Sequence, residues 1–403
     1  MSSENSSQNG SAIQLSSDRA PATRTAATNE EADLMIFPPT SPLTNSEKPS
    51  EHLATVELGN GKKIPVIIPE SEQFANRLRK NARVRRRWAK RTGVSCYRVY
   101  DADLPDYAAA IDLYEGSPET PGRWLSIAEY APPATVDKDL ARARMADILN
   151  LAPAILDVEP NCTFDRTRRR ARGGSQYAQK RKAPEAMPDT GHALIQEGGL
   201  TFEIDLASYL DTGIFLDTRL VRKLIRSRAQ KRHARYFLNL FAYTGTASCY
   251  AADAGVQETV TVDLSNTYLD WAERNMELNG FCGPDHHFVR DDCLAWMDDQ
   301  LKGTNRWDLI FCDPPTFSNS SKMGVRTWDV QRDHVGLLTR IVGLLTEDGE
   351  AIFCCNLRRF KPDLEALEAA GVELTEITDQ TIPEDFSRNA RIHHCYLVRH
   401  AQS

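Results

Sequence analysis

From Leu200 onward, apolar runs of strand length alternate with segments of helical period. Phe202-Glu-Ile-Asp-Leu alternates as a half-buried strand, and Leu220 to Arg228 has the spacing of a short basic helix. Tyr236-Phe-Leu-Asn-Leu-Phe then reads as a buried strand that runs through a small-residue turn at Gly245 into a helix. Thr259-Val-Thr-Val is a second strand, ending at Asp263. His287 to Val289, Trp307 to Cys312 and Gly349 to Cys355 are further strands. Tyr268 to Asn279, Cys293 to Gln300, Val330 to Leu345 and Leu364 to Ala370 have helical period. Leu374 to Ile377 and Ile392 to Val398 fit a closing antiparallel pair. This alternation predicts an α/β fold, a doubly wound Rossmann-like sheet over residues 200–403.

The pattern ahead of it differs. Residues 56–68 fit a hairpin turning at Gly59-Asn60-Gly61, and Ser71 to Arg91 a helix stopped by Gly93. Cys96 to Tyr100, Ala108 to Tyr114 and Trp124 to Tyr130 are expected strands, and Val136 to Leu151 a helix. Residues 52–195 therefore predict a smaller α+β domain. Residues 1–50 are rich in Ser, Thr, Asn, Ala and Pro and lack any period, so a disordered N-terminal tail is expected.

Composition narrows the picture. The chain has 403 residues, enough for two domains and a tail, and 41% of them are apolar. Its nine cysteines form no Cys-x-x-Cys pair, which fits buried thiols in a reducing compartment and no metal site. No apolar run approaches the roughly 20 residues of a membrane span, so a cytoplasmic protein with no membrane partner is expected. The net charge of -7 hides local patches. Arg77 to Arg91 carries nine Arg and Lys with no acid, Arg166 to Arg172 carries five Arg, and Arg219 to Arg235 is again basic.

The strand ends carry the chemistry. Ligands of a doubly wound sheet bind at the carboxyl ends of its strands. Here those ends are Gly245, Asp263, Asp291-Asp292 and Asp313-Pro314-Pro315. A single glycine disfavours a pyrophosphate cradle and favours a nucleoside without phosphates, such as S-adenosylmethionine. Asp263 can accept hydrogen bonds from both hydroxyls of a ribose. Alternatively, such acids simply cap the helices that follow. In Asp313-Pro-Pro-Thr-Phe317, two prolines stiffen the chain and remove two N–H donors. Phe317 can stack on a flat ring; the plainer alternative is a rigid turn with a core phenylalanine.

On these residues the chain resembles a class I S-adenosylmethionine-dependent methyltransferase. In particular, it is similar to the 23S rRNA guanine-N7 methyltransferase that forms the C-terminal half of a bifunctional bacterial enzyme. The resemblance rests on Asp211-Thr-Gly-Ile-Phe-Leu-Asp-Thr-Arg219, Leu238-Asn-Leu-Phe-Ala-Tyr-Thr-Gly-Thr-Ala-Ser248 and Thr261-Val-Asp-Leu-Ser265. It continues in Asp313-Pro-Pro-Thr-Phe-Ser318, Asp329-Val-Gln-Arg-Asp-His334 and Asp385-Phe-Ser-Arg-Asn389, and covers roughly residues 70–400. It implies that Phe215, Asp217, Tyr243, Thr244 and Gly245 line the methionine end of the cofactor. Asp263 would hold the ribose, Leu264 the adenine face, and Asp292 with the backbone of Cys293 the adenine edge. Asp313, Pro314, Pro315 and Phe317 would position the guanine.

The chain departs from that family in having no second methyltransferase half ahead of it, so action alone, as a monomer or weak homodimer, is expected. It also carries Cys354-Cys355 where the family usually has asparagines. Cytosine-C5 methyltransferases place their nucleophilic cysteine near this position, so a cytosine-C5 reading through Cys355 stays open beside the guanine-N7 one. A non-enzymatic RNA-binding assembly factor is a third reading. Guanine N7 has a free lone pair, which requires no general base, in line with an expected absence of a His–carboxylate pair at the rim. The 23S rRNA would be gripped by Arg79, Arg83, Arg86 and Arg87, by Arg168, Arg169 and Arg170, and by Arg219.

Overall fold

A computed structural model describes residues 54–59, 61–130, 135–166, 191–208, 211–318 and 327–401. The expectations for residues 1–50 and for Arg168 to Arg170 lie outside the described residues.

The chain opens with an antiparallel hairpin of β1 (Ala54–Glu57) and β2 (Lys63–Val66). Helix α1 (Ser71–Thr92) follows and ends where Gly93 turns left-handed at φ 66°. Phe74, Ala75, Leu78, Trp88 and Ala89 form its buried stripe, and the Phe74 ring stacks on Tyr107 at 5.2 Å. The stripe packs on a four-stranded sheet of β3 (Tyr97–Asp101), β4 (Ala109–Glu115), β5 (Arg123–Glu129) and β6 (Thr163–Asp165), in that order. Helix α2 (Lys138–Leu156) covers it and runs past the expected end at Leu151, through Pro153. Burial of Leu151, Ala152, Pro153 and Leu156 against the core offsets the backbone bond that proline gives up. On α2, Asp147 is buried and accepts from Ser71 Oγ at 2.6 Å and from the amides of Ile67 and Ile68, so helix start and hairpin end are held by one carboxylate.

A second hairpin, β7 (His192–Glu197) with β8 (Leu200–Asp205), spans the expected border between the two parts. Its Ile195, Phe202 and Ile204 share a core with Cys96, Tyr114 and Trp124 on one side and with Tyr250, Met276 and Phe386 on the other.

The remainder is the predicted doubly wound sheet. Its elements are α3 (Arg219–Arg232), β9 (Tyr236–Leu240), α4 (Thr246–Asp253), β10 (Glu258–Asp263), α5 (Asn266–Leu278) and β11 (His286–Arg290). Then come α6 (Cys293–Gln300), β12 (Trp307–Cys312), the short pair β13 (Phe317–Ser318) and β14 (Trp328–Asp329), α7 (Val330–Leu344) and β15 (Leu345–Cys355). The chain closes with α8 (Leu364–Ala369), β16 (Val372–Glu376), α9 (Thr378–Thr381) and β17 (His394–His400). The strand order is β11-β10-β9-β12-β15-β17-β16. The first five run parallel, and β17 lies antiparallel between β15 and β16. Burial on both faces explains why β9, β10 and β12 read as continuous apolar runs. No helix of the described residues is long and apolar enough to cross a membrane.

Candidate active site

The order of the sheet reverses between β9 and β12, where open α/β sheets leave a crevice. Leu240 is in register with both Val262 and Cys312, so three strands finish level. The turn at Tyr243–Gly245, Asp263 and Asp313 therefore follow on one rim. Asp263 is in register with Arg290, which brings Asp292 and Cys293 next along it.

Backbone strain concentrates in the turn after β9. Phe241 has φ 54°, Tyr243 φ 51° and Gly245 φ 69°. Side chains disfavour that region by about 1–3 kcal/mol each, so the surroundings must impose it. A Cβ on Gly245 would stand 2.5 Å from that of Ala272, so close packing on α5 demands glycine here. Tyr243 N–H donates to Asp263 Oδ2 at 2.9 Å, and Asn275 Nδ2 donates to the Thr244 carbonyl at 2.9 Å. Phe241 N–H points at Cys293 Sγ, 3.3 Å away. The Cys293 side chain is thus spent on the turn.

The same turn pins the segment from Asp211 to Asp217. Gly213 N–H donates to Tyr243 Oη at 2.8 Å, and Thr244 Oγ1 donates to the Gly213 carbonyl at 2.5 Å. The Phe215 ring lies 4.9 Å from that of Tyr243. Asp263 also accepts the Ser265 amide at 2.8 Å, which ties the turns after β9 and β10 together. Burial raises its carboxyl pKa against these backbone bonds. Asp292 Oδ1 caps α6 through the amides of Leu294 and Ala295 at 3.0 Å, so the capping role and a place on the rim coexist.

Asp217 corrects one expectation. Its Oδ2 lies 3.2 Å from Nδ1 of the fully buried His393, whose Nε2 pairs with Thr381 Oγ1 at 3.1 Å. A His–carboxylate pair therefore does stand by the rim. Burial would raise the Asp217 pKa, but His393 and the nearby Arg98 charge hold it below the usual value. The reverse holds at Asp313. Burial and the charge of Asp217, opposed by His393, push its carboxyl up to about 7. No local signal marked His393, because its partner is 176 residues away in sequence.

The Asp313–Phe317 segment is braced by a residue that sequence reading passed over. Trp328 Nε1 donates to the Pro315 carbonyl at 2.6 Å, and Val330 N–H to the Thr316 carbonyl at 3.1 Å. Pro314 is buried, while Phe317 is 48% exposed and free to stack. Cys355 is fully buried, and burial pushes its thiol up to about 12.

The basic clusters divide. Arg83, Arg86 and Arg87 stand exposed on α1. Arg79 is half-buried and reaches back to Asn76 Oδ1 at 2.8 Å and to the Glu57 carbonyl. Arg219 is no phosphate ligand: it is 2% exposed, with Nη1 3.0 Å from Asp385 Oδ1 and Nε 3.5 Å from Glu197 Oε2. Arg222 is equally buried, 2.7 Å from Glu197, and Arg226 pairs with Asp253 at 2.6 Å. The acids that neutralise α3 come from distant parts of the chain.

Comparison with known proteins agrees with this geometry. The family model described as S-adenosylmethionine-dependent methyltransferase matches residues 176–383, just over half of the chain. The ribosomal RNA large subunit methyltransferase K/L of Allochromatium vinosum is 48% identical over 336 residues, covering 83% of this chain and 43% of that protein. The protein of the same name from Methylococcus capsulatus is 45% identical over 364 residues, covering 90% and 47%. The chain thus spans under half the length of these relatives. The solved structure of SMU.776 complexed with SAH shares the fold with a TM-score of 0.60 at 19% identity, over 86% of each chain. The match, together with the crevice, its strained turn and the carboxylates along the rim, means that this chain belongs to the S-adenosylmethionine-dependent methyltransferases.

Proposed function

We propose that the protein methylates N7 of a guanine in 23S ribosomal RNA, in the cytoplasm and without a membrane partner. What carries the reading is the exposed Phe317 beside a braced Asp313-Pro-Pro segment on the rim that also holds Asp263. The names of the relatives, both large-subunit rRNA methyltransferases, support the substrate class.

The residues fit the cofactor. Asp263 keeps carboxylate lone pairs beyond its two backbone bonds and takes the ribose hydroxyls. Leu264 packs on the adenine face, while Asp292 and the Cys293 backbone meet its edge. Phe215, Asp217 and Tyr243 to Gly245 border the methionine end. S-adenosylmethionine supplies a methyl on a sulfonium, which guanine N7 accepts on its lone pair with no proton to remove. The chain has to hold a splayed guanine flat on Phe317, fix its edge against the rigid Asp313 segment and exclude water. Asp313, when ionised, faces the positive charge that grows on the ring.

Asp263→Ala is expected to weaken binding of S-adenosylhomocysteine by about 10- to 100-fold, since bonds to charged groups contribute roughly 1.5–3 kcal/mol. Isothermal calorimetry on the purified chain measures it. The target is tested by tritiated methyl incorporation into 23S rRNA that lacks the modification, followed by nucleoside mass spectrometry. A new 7-methylguanosine supports the proposal, and a methyl on any other atom rejects it.

The cytosine-C5 reading needs an activated Cys355 thiolate. A thiol with no solvent exposure, pushed up to about 12 by burial, is unsuited to that role. Cys355→Ser is expected to leave the rate of methyl transfer unchanged, at a stability cost of about 1–2 kcal/mol for a buried hydroxyl. Loss of turnover with the fold intact would reinstate the cytosine reading.

A further inference from the structure

A cavity of about 300 Å³ lies away from the rim, between the C-terminal half of α1 and strands β3 and β4. Its lining includes the buried apolar side chains Val99, Leu113 and Leu156 together with Tyr97. Arg86 and Lys90 of α1 and the Glu115–Arg123 pair, 3.6 Å apart, stand around it.

Two observations single this cavity out. Tyr97 is only 5% exposed, yet its hydroxyl has no hydrogen-bond partner among the described residues. That hydroxyl is left accessible at the cavity, whereas enclosed tyrosine hydroxyls normally find a partner within the protein. Those of Tyr100 and Tyr107 in the same domain do so, the first to the Tyr107 carbonyl at 2.9 Å and the second to Ser71 Oγ at 2.9 Å. Arg86, Glu115 and Arg123, whose charges act on the Tyr97 hydroxyl, all line the cavity. In addition, Arg86 and Lys90 make no ion pair among the described residues, whereas neighbouring Arg85 pairs with Glu384 at 3.5 Å.

An apolar lining with an aromatic side chain suits a flat ring. The Glu115 carboxylate on the lining, half-exposed and paired with Arg123, suits the amino or imino group of a base better than a bare phosphate. Unpaired cations at the mouth suit the phosphate that a base carries with it. The volume is at the lower end for small-ligand pockets, the size class of one nucleotide.

We propose that this cavity receives one unpaired nucleotide of the RNA. The base would sit against Tyr97 and Glu115, and the phosphate between Arg86 and Lys90. The inference rests on RNA being the substrate and adds a second anchor, separate from the methyl-transfer crevice. It lets the enzyme recognise a splayed strand at two points and not by phosphate contact alone.

The test uses the full chain saturated with S-adenosylhomocysteine, so that the cofactor crevice is closed to nucleotides. A single-stranded oligoribonucleotide carrying 4-thiouridine is photocrosslinked to it, and adducts are mapped by mass spectrometry. Adducts are expected on peptides containing Arg86 to Tyr97 or Glu115 to Arg123. The variant Arg86→Ala/Lys90→Ala/Tyr97→Phe keeps the ring and the fold, and is expected to bind the oligonucleotide about tenfold more weakly. Adducts confined to other peptides, or unchanged affinity in the variant, overturns the proposal. Methyl incorporation into 23S rRNA is measured in parallel. Cavity adducts without incorporation keep the nucleotide site and reject the methylation reading. Incorporation without cavity adducts does the opposite.

Discussion

Asp313→Asn is expected to lower kcat about 100- to 1,000-fold, the usual loss when one preorganised charge-stabilising group is removed from a reaction centre. The asparagine keeps the shape and leaves Pro314, Pro315 and the Trp328 brace in place, so S-adenosylhomocysteine should bind as before. The pH dependence separates charge from shape. With a carboxyl pushed up to about 7 by burial and by Asp217, the wild type carries Asp313 largely protonated below that pH. A neutral acid cannot face the growing positive charge, so the rate should rise as pH climbs through about 7 and level off above it. In the asparagine variant that rise should disappear. Stability should move the other way. The folded chain holds the Asp313 proton up to about 7, while an unfolded carboxyl loses it near 3.8. Between those values the folded state binds more protons than the unfolded one, so ionising Asp313 costs stability as pH rises. At pH 8 the variant should therefore melt no lower than the wild type while turning over far more slowly. Rate profiles from pH 5 to 9, with melting at each pH, check both halves. A variant that keeps the wild-type rate rise would remove Asp313 from the charge-stabilising role.

The doubly wound sheet was legible because its signals are local. Parallel strands buried on both faces appear as apolar runs, and Cys293–Gln300 and Trp307–Cys312 fall where periodicity put them. The rim was legible for the same reason, since position after a strand end is a local property. What stayed hidden depends on contacts between distant segments. Asp217 and His393 meet only because β17 returns between β15 and β16. Trp328 closes on Pro315 across a short antiparallel pair that no periodicity announces. The basic run on α3 misled for a physical reason. Residues 219–235 contain no acid, but Glu197, Asp253, Glu350 and Asp385 arrive from four other places in the fold. Charge density along a sequence can mark a nucleic-acid face only where the fold leaves it unpaired, and Arg83, Arg86 and Arg87 are the exposed candidates for one.

Arg219 shows how much depends on that distinction. Its guanidinium joins three segments. It donates to Asp385 at 3.0 Å and to the Cys96 carbonyl just before β3 at 2.6 Å, and lies 3.5 Å from Glu197 at the end of β7. Asp385 also accepts the Arg98 amide at 3.0 Å, so the knot ties the N-terminal sheet to the catalytic one. Arg219→Met is expected to destabilise the chain by about 3–5 kcal/mol, because it leaves Asp385 charged and buried without its partner. Glu197 suffers less, since Arg222 and the Tyr250 hydroxyl still hold it. Adding Asp385→Asn should recover much of the loss. The asparagine removes the stranded charge and still accepts the Arg98 amide through its carbonyl oxygen. Urea unfolding of the two single variants and the double variant gives the coupling energy directly. If Arg219 instead contacted RNA, the second substitution would rescue nothing. Arg219→Met would then also flatten the salt dependence of RNA binding, whereas loss of a buried tie leaves that slope as it is in the wild type. Arg83→Ala on the exposed face of α1 is the matched control: it should reduce the salt slope while leaving unfolding unchanged.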